Sequence, residues 1–146
     1  MATTRIVVSD PKTRKAYQKE IDLPASGFLG KKIGENVPGA GVGLDGYTIQ
    51  VTGGSDKEGF PMRRDIEGQI RKRIVLSDGP GFHSYHEGMR KRKSIRGNTI
   101  FENTMQINAK VVTAGSKSIE DAWGIKPKET STQEKAEAKM GVKPVA

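Results

Sequence analysis

Eleven basic side chains crowd into 40 residues of this chain. Lys57, Arg63, Arg64, Arg71, Lys72 and Arg73 come first; Arg90-Lys91-Arg92-Lys93, with Arg96 two residues beyond Ser94, forms the densest run. The window 57–96 holds 11 basic against 5 acidic side chains, so six of the eight excess positive charges lie in it. Every arginine except Arg5 and Arg14 falls there, and the C-terminal third carries only Lys. A guanidinium offers planar, bidentate contacts to phosphate and to guanine that an ammonium cannot. His83, Tyr85 and His86 interleave with the basic runs, where they could stack on a base or bond a phosphate. Gly59, Gly68, Gly88 and Gly97 punctuate the same stretch and would let backbone approach a phosphate closely. The chemistry this set suits is the gripping of a polyanion, with nucleic acid as the leading partner. The plain alternative is a solvated charged surface. The arginine content, and strands flanking the runs, argue against it.

Other chemistries fail on context. Gly41-Val42-Gly43-Leu44-Asp45-Gly46 spells the dinucleotide fingerprint, but that mechanism needs a strand before it and a helix after it. Here a Pro-Gly loop precedes and a cleanly alternating segment follows. His83, His86 and Glu87 invite a metal, yet glycines and a proline bracket them and no further ligand has the right spacing. No Gly-x-Ser-x-Gly elbow is present, and Asp65 and Glu67 sit among arginines, suited to orienting guanidinium groups. The expectation is no enzyme, no cofactor, no metal and no small-molecule substrate.

Positioning these side chains falls to a thin core. The chain has 146 residues and a net charge of +8, with no cysteine and therefore no disulfide or thiolate chemistry. Leu, Ile, Val and Phe make up about one fifth of it, close to the roughly 20% at which disorder becomes the expectation. Ile and Val outnumber Leu 22 to 4, which favours strands. The sequence predicts strands over 5–9, 15–23, 47–52, 73–77, 94–100 and 106–113. Gly27 to Val37 could form one or two helical turns with Phe28, Leu29 and Ile33 inward, Gly53-Gly54 should end a strand and open a loop through Pro61, and 118–123 could be a helical turn. Short strands between Gly-rich turns suggest a mainly β fold, a small Gly-rich β-barrel or compact sheet with one or two short helices. Residues 1–117 are expected to form the RNA-binding β-barrel domain, and 118–146 a C-terminal extension ending in a flexible tail too poor in apolar side chains to order itself. No run is long enough to span a membrane, and Met-Ala-Thr-Thr-Arg lacks the apolar stretch of a signal peptide, so a cytoplasmic protein is expected.

Two segments carry a family resemblance. Gly53-Gly54-Ser55-Asp56-Lys57-Glu58-Gly59-Phe60-Pro61-Met62 resembles one signature of the archaeal and eukaryotic small-subunit ribosomal protein six family, which is unrelated to the bacterial protein sharing the number. Gly88-Met89-Arg90-Lys91-Arg92-Lys93-Ser94-Ile95-Arg96-Gly97 resembles its second. The likeness is strong over 46–115, looser over 4–45 and essentially absent after Lys117. It implies a non-catalytic component of the small ribosomal subunit, a small β-barrel embedded in ribosomal RNA beside neighbouring ribosomal proteins, and the short, nearly charge-balanced tail looks archaeal. Composition alone points only weakly to RNA over DNA, through the lack of a recognition helix. A free-standing RNA-binding or translation-factor-like regulatory module is the competing reading. Phe60 is expected to plug the barrel and fix its loop.

Overall fold

Strand β1 (Thr3–Asp10) buries Thr4, Ile6 and Val8 and turns Arg5 and Ser9 outward, the alternation of a strand with one covered face. In the computed structural model, which describes residues 3–125, a tight turn then leads into β2 (Lys15–Asp22). Asp10 organises that turn by accepting from the Lys12 amide at 2.9 Å and the Thr13 hydroxyl at 3.0 Å. A short helix, α1 (Leu23–Ser26), is started by Pro24 in its first turn. β3 (Asn36–Pro38) and a 3-10 turn (Gly39–Val42) follow, then β4 (Thr48–Asp56), β5 (Arg71–Leu76), β6 (Lys91–Arg96), β7 (Thr104–Thr113) and α2 (Ile119–Trp123).

The strands form two sheets. Five run in the order β2-β1-β7-β4-β3, with β1 and β7 parallel and the other pairs antiparallel; β5 and β6 make a separate antiparallel pair. The expected barrel is therefore corrected to an open sheet plus a hairpin. β3 is only three residues long and ends in Pro38, which has no N–H to extend a ladder, while the opposite edge, β2, carries Lys15, Lys19 and Glu20 outward. Neither edge is built to receive the other.

The main core gathers Ile6, Val8, Phe28, Leu44, Ile49, Val51, Ile100 and Ile107, with Ile119 of α2 closing one side. A satellite cluster of Leu76, Phe82 and Ile95, with Ile66, Ile74 and Met89 against it, lies under the hairpin. Isolated two-stranded ribbons are marginal in water. This one is held by that cluster and by backbone bonds that anchor it, among them Arg63 N–H to the Arg96 carbonyl and Arg96 N–H to the Pro61 carbonyl, both 3.0 Å.

Several local expectations change. In place of the helical turns expected over 27–37, residues 27–35 are irregular and 36–37 open β3. Gly30 and Gly34 lie in the left-handed region, the segment bonds to the carbonyls of Ile100, Asn98 and Val51, and Phe28 is buried but Leu29 stays exposed. β4 does not stop at Gly53. It bulges there and continues to Asp56, because Gly54 lets the chain press onto the Gln106 carbonyl where a Cβ would collide. β6 ends at Arg96, and Asn98, Thr99 and Ile100 dive inward. The turn predicted at 118–123 is present as α2, capped by the Ser118 hydroxyl accepting from the Asp121 amide at 3.2 Å. Trp123 docks it by donating its indole N–H to the Val42 carbonyl at 3.0 Å. The tail expected from 128 onward falls outside the described residues. Among the described residues no helix is long and apolar enough to cross a membrane.

Candidate nucleic-acid interface

The hairpin sorts its basic residues by type. Register pairs Arg71 with Arg96, Lys72 with Ile95, Arg73 with Ser94, Ile74 with Lys93, Val75 with Arg92 and Leu76 with Lys91. Directly paired residues share a face, and faces alternate along a strand. One face therefore carries Arg71, Arg73, Arg92 and Arg96; the other carries Lys72, Lys91 and Lys93 among Leu76, Ile74 and Ile95. The sequences Arg71-Lys72-Arg73 and Lys91-Arg92-Lys93 do this by simple period-two alternation.

Arginine opposite arginine is repulsive unless something intervenes. At the Arg71–Arg96 end, Asp56 intervenes. Its carboxylate, almost fully buried, accepts from Arg71 Nη2 at 2.8 Å, Arg96 Nη1 at 2.9 Å and the Lys57 amide at 2.7 Å. Burial pushes the Asp56 carboxyl upward. The hydrogen bonds from Arg71 and from the Lys57 amide, with the charges of Arg96 and Arg71, outweigh that and leave it below the ordinary carboxylate value. Arg71 also reaches Glu58 at 2.7 Å and lies over the Phe60 ring, 4.5 Å from its centroid. Phe60 is thus a half-buried platform for a guanidinium and not the expected plug. The two signature segments meet here, Asp56 to Arg96 and Met62 beside Arg96.

The sequence-predicted site residues consequently divide. Arg71 and Arg96 are held internally by Asp56, and Arg63 is paired with Asp65 at 2.6 Å. Lys57, Arg64, Lys72, Arg73, Arg90, Lys91, Arg92 and Lys93 make no ion pair among the described residues, and all but the half-buried Lys93 are exposed. His83, Tyr85 and His86 lie in the loop joining β5 to β6, which Phe82 pins to the satellite core; Tyr85 is 86% exposed, and His83 sits 3.3 Å from Asp78. Asp65 orients an arginine as expected, whereas Glu67 makes no such contact. Sequence reasoning did not single out Asp56, the organising carboxylate; its place after Gly53-Gly54, at the end of a strand, was the available signal.

The glycines serve another purpose than the one expected. Gly97 packs onto the Gly68 carbonyl so tightly that any Cβ would overlap it, and Gly59, Gly68 and Gly88 take left-handed turns. The Gly41–Gly46 segment holds the last two residues of the 3-10 turn and the loop after it, between antiparallel β3 and β4 with Leu44 fully buried, so no helix N-terminus follows it to await a pyrophosphate.

An open sheet bearing a basic hairpin defines a mainly β protein with its excess positive charge concentrated on one appendage. The family described as Ribosomal protein S6e matches residues 4–124, reaching past Lys117 to include α2. Proteins named small ribosomal subunit protein eS6 are similar: that of Methanocaldococcus jannaschii is 47% identical over 91% of this chain and 100% of its own length. That of Methanocella arvoryzae is 47% identical over 83% of this chain and 86% of its own, and that of Methanococcus maripaludis strain C7 is 50% identical over 77% and 89%. The chain belongs to the ribosomal protein S6e family, a family of structural proteins and not of enzymes.

Proposed function

We propose that this chain is a structural constituent of the small ribosomal subunit that binds ribosomal RNA through the β5–β6 hairpin and its flanking loops, working in the ribosome alongside neighbouring ribosomal proteins. The observation that carries the reading is the register of the hairpin, which holds Arg73 and Arg92 on a single exposed face with no carboxylate among the described residues to neutralise them. A rigid strand pair that leaves such charges unmatched is suited to phosphates fixed in space. Lys57, Arg64, Arg90 and the lysine face add to the contact set, and Tyr85 offers an exposed ring for stacking. Arg71 and Arg96, held by Asp56 at one end of the arginine face, and Arg63, held by Asp65, shape the interface.

The test is RNA binding across a salt series. With six to eight phosphates neutralised, log affinity should fall against log salt with a slope of about −4 to −7. Arg73→Ala with Arg92→Ala should make the slope shallower by roughly 1.5–2 while the protein stays folded. An unchanged slope removes these residues from the interface. Loss of the protein from small subunits in high-salt washes would favour a transient regulatory factor over a core component.

A further inference from the structure

We propose that the β5–β6 hairpin is gripped from both sides, its arginine face and its lysine face binding two different segments of RNA and so tying them together. This rests on the ribosomal RNA reading above and names what each face of that site takes. The two basic sets point in opposite directions from one backbone layer, Arg73 and Arg92 one way, Lys72, Lys91 and Lys93 the other. Face-to-face sheet spacing is about 10 Å, so charged heads on opposite faces are separated by at least roughly that distance with the strand backbone between them. A single phosphate strand running along one face cannot reach the other.

The faces also differ in what surrounds the charges. On the arginine side the hairpin is covered at one end only, by Asp56 and Phe60 around Arg71 and Arg96. Its other end is open, with Val75 55% exposed beside Arg92. Planar guanidinium groups beside an exposed valine suit bidentate phosphate contact at close range. On the lysine side Phe82, Ile66 and Met89 cover Leu76, Ile74 and Ile95, and each cross-strand pair sets one lysine against one of those apolar residues. Lys72 and Lys91 are exposed and Lys93 half-buried on this face, and the 77–90 loop packs Phe82 and Met89 against the same apolar cluster. Arg90 adjoins Lys91 in the chain, and His83 and Tyr85 of the same loop are exposed.

The chain has no cysteine, so a single introduced thiol can carry an iron chelate that cuts RNA by hydroxyl radicals. Small subunits are assembled with full-length Val75→Cys, on the arginine face, or Lys91→Cys, on the lysine face. Two cleavage sets in RNA segments that are not paired with one another are expected. Coincident sets would overturn the two-sided grip while leaving RNA binding intact. Absence of both the protein and cleavage from the subunits would overturn the ribosomal reading itself. As a second measure, Lys72→Ala with Lys93→Ala should release the set cut from a Lys91→Cys background, with the set cut from a Val75→Cys background retained. Loss of both sets together from correctly folded protein would show one continuous surface and refute the proposal.

Discussion

Asp56→Asn tests whether the hairpin is held by one buried carboxylate. The replacement keeps the shape of the side chain and removes its charge, so Arg71 and Arg96 face one another across the strands with only the exposed Glu58, on Arg71, as counter-ion. Asp56 is 4% exposed, and the side chain of Arg96 is 12% exposed, so water can do little to compensate at that contact. Removing one partner of a buried ion pair costs about 3–5 kcal/mol. Arg71 is one third exposed, and solvent can screen its share, which sets the expectation at the lower end, about 3 kcal/mol. For a domain of this size that is a fall in Tm of roughly 12 °C, at about 4 °C per kcal/mol. The assay is thermal and urea unfolding of the free protein at neutral pH, with Glu58→Gln as control. Glu58 holds the same arginine from an exposed position, so its loss should move Tm by less than about 3 °C. An Asp56→Asn protein as stable as the control would show that the two arginines do not depend on this anion, and the account of the hairpin would be wrong.

Because the folded Asp56 carboxyl lies below its ordinary value, its stabilisation is complete above the unfolded pKa of about 3.9 and is lost as pH falls through the lower folded value. Urea midpoints measured from pH 7 down to pH 2 should therefore fall less steeply in acid for Asp56→Asn than for the wild type. Gly97→Ala should cost about 3 kcal/mol or more, since its Cβ overlaps the Gly68 carbonyl and the backbone itself must move; amide exchange should show the hairpin opening first. Glu120 is held below its ordinary value by hydrogen bonds from Lys15 and Tyr17, which fasten α2 to β2. Glu120→Gln should loosen α2 at neutral pH, read through the fluorescence of Trp123, the sole tryptophan of the chain, and an unchanged spectrum would dissociate that contact from helix docking.

Much of the sheet was legible because period-two alternation is local. Tyr47, Ile49 and Val51, and then Ile107, Ala109 and Val111, show which side of β4 and β7 is covered, and the core contains all six. What the sequence hides is non-local. Nothing near Gly53 announces that Gly54 must approach Gln106, so a residue that ordinarily ends a strand here permits a bulge within one. The open sheet was equally invisible, since closure depends on whether two edges remote in sequence meet. Charge density located the forty residues that hold the basic hairpin and its flanking loops. It could not tell Arg71 and Arg96, turned onto Asp56, from Arg73 and Arg92, two positions along the same strands or four away, because an ion pair spanning 40 residues leaves no local trace.

That division along the hairpin links its stability to its occupancy. At one end, arginine opposite arginine is resolved within the chain by a carboxylate, and the fold gains an anchor. Further along, Arg73 and Arg92 have no such partner among the described residues, and on the reverse face Lys72, Lys91 and Lys93 have none there either. Their mutual repulsion is tolerable in the free protein only because water screens exposed charges. A polyanion that neutralises them binds the folded hairpin better than the unfolded chain, and so stabilises it by mass action. On the proposed reading, the buried pair sets the shape before RNA arrives, and the unpaired set would make that shape more stable once RNA is bound. Were Arg73 and Arg92 also given acidic neighbours, the free protein would gain stability and the phosphate backbone would lose its reason to bind.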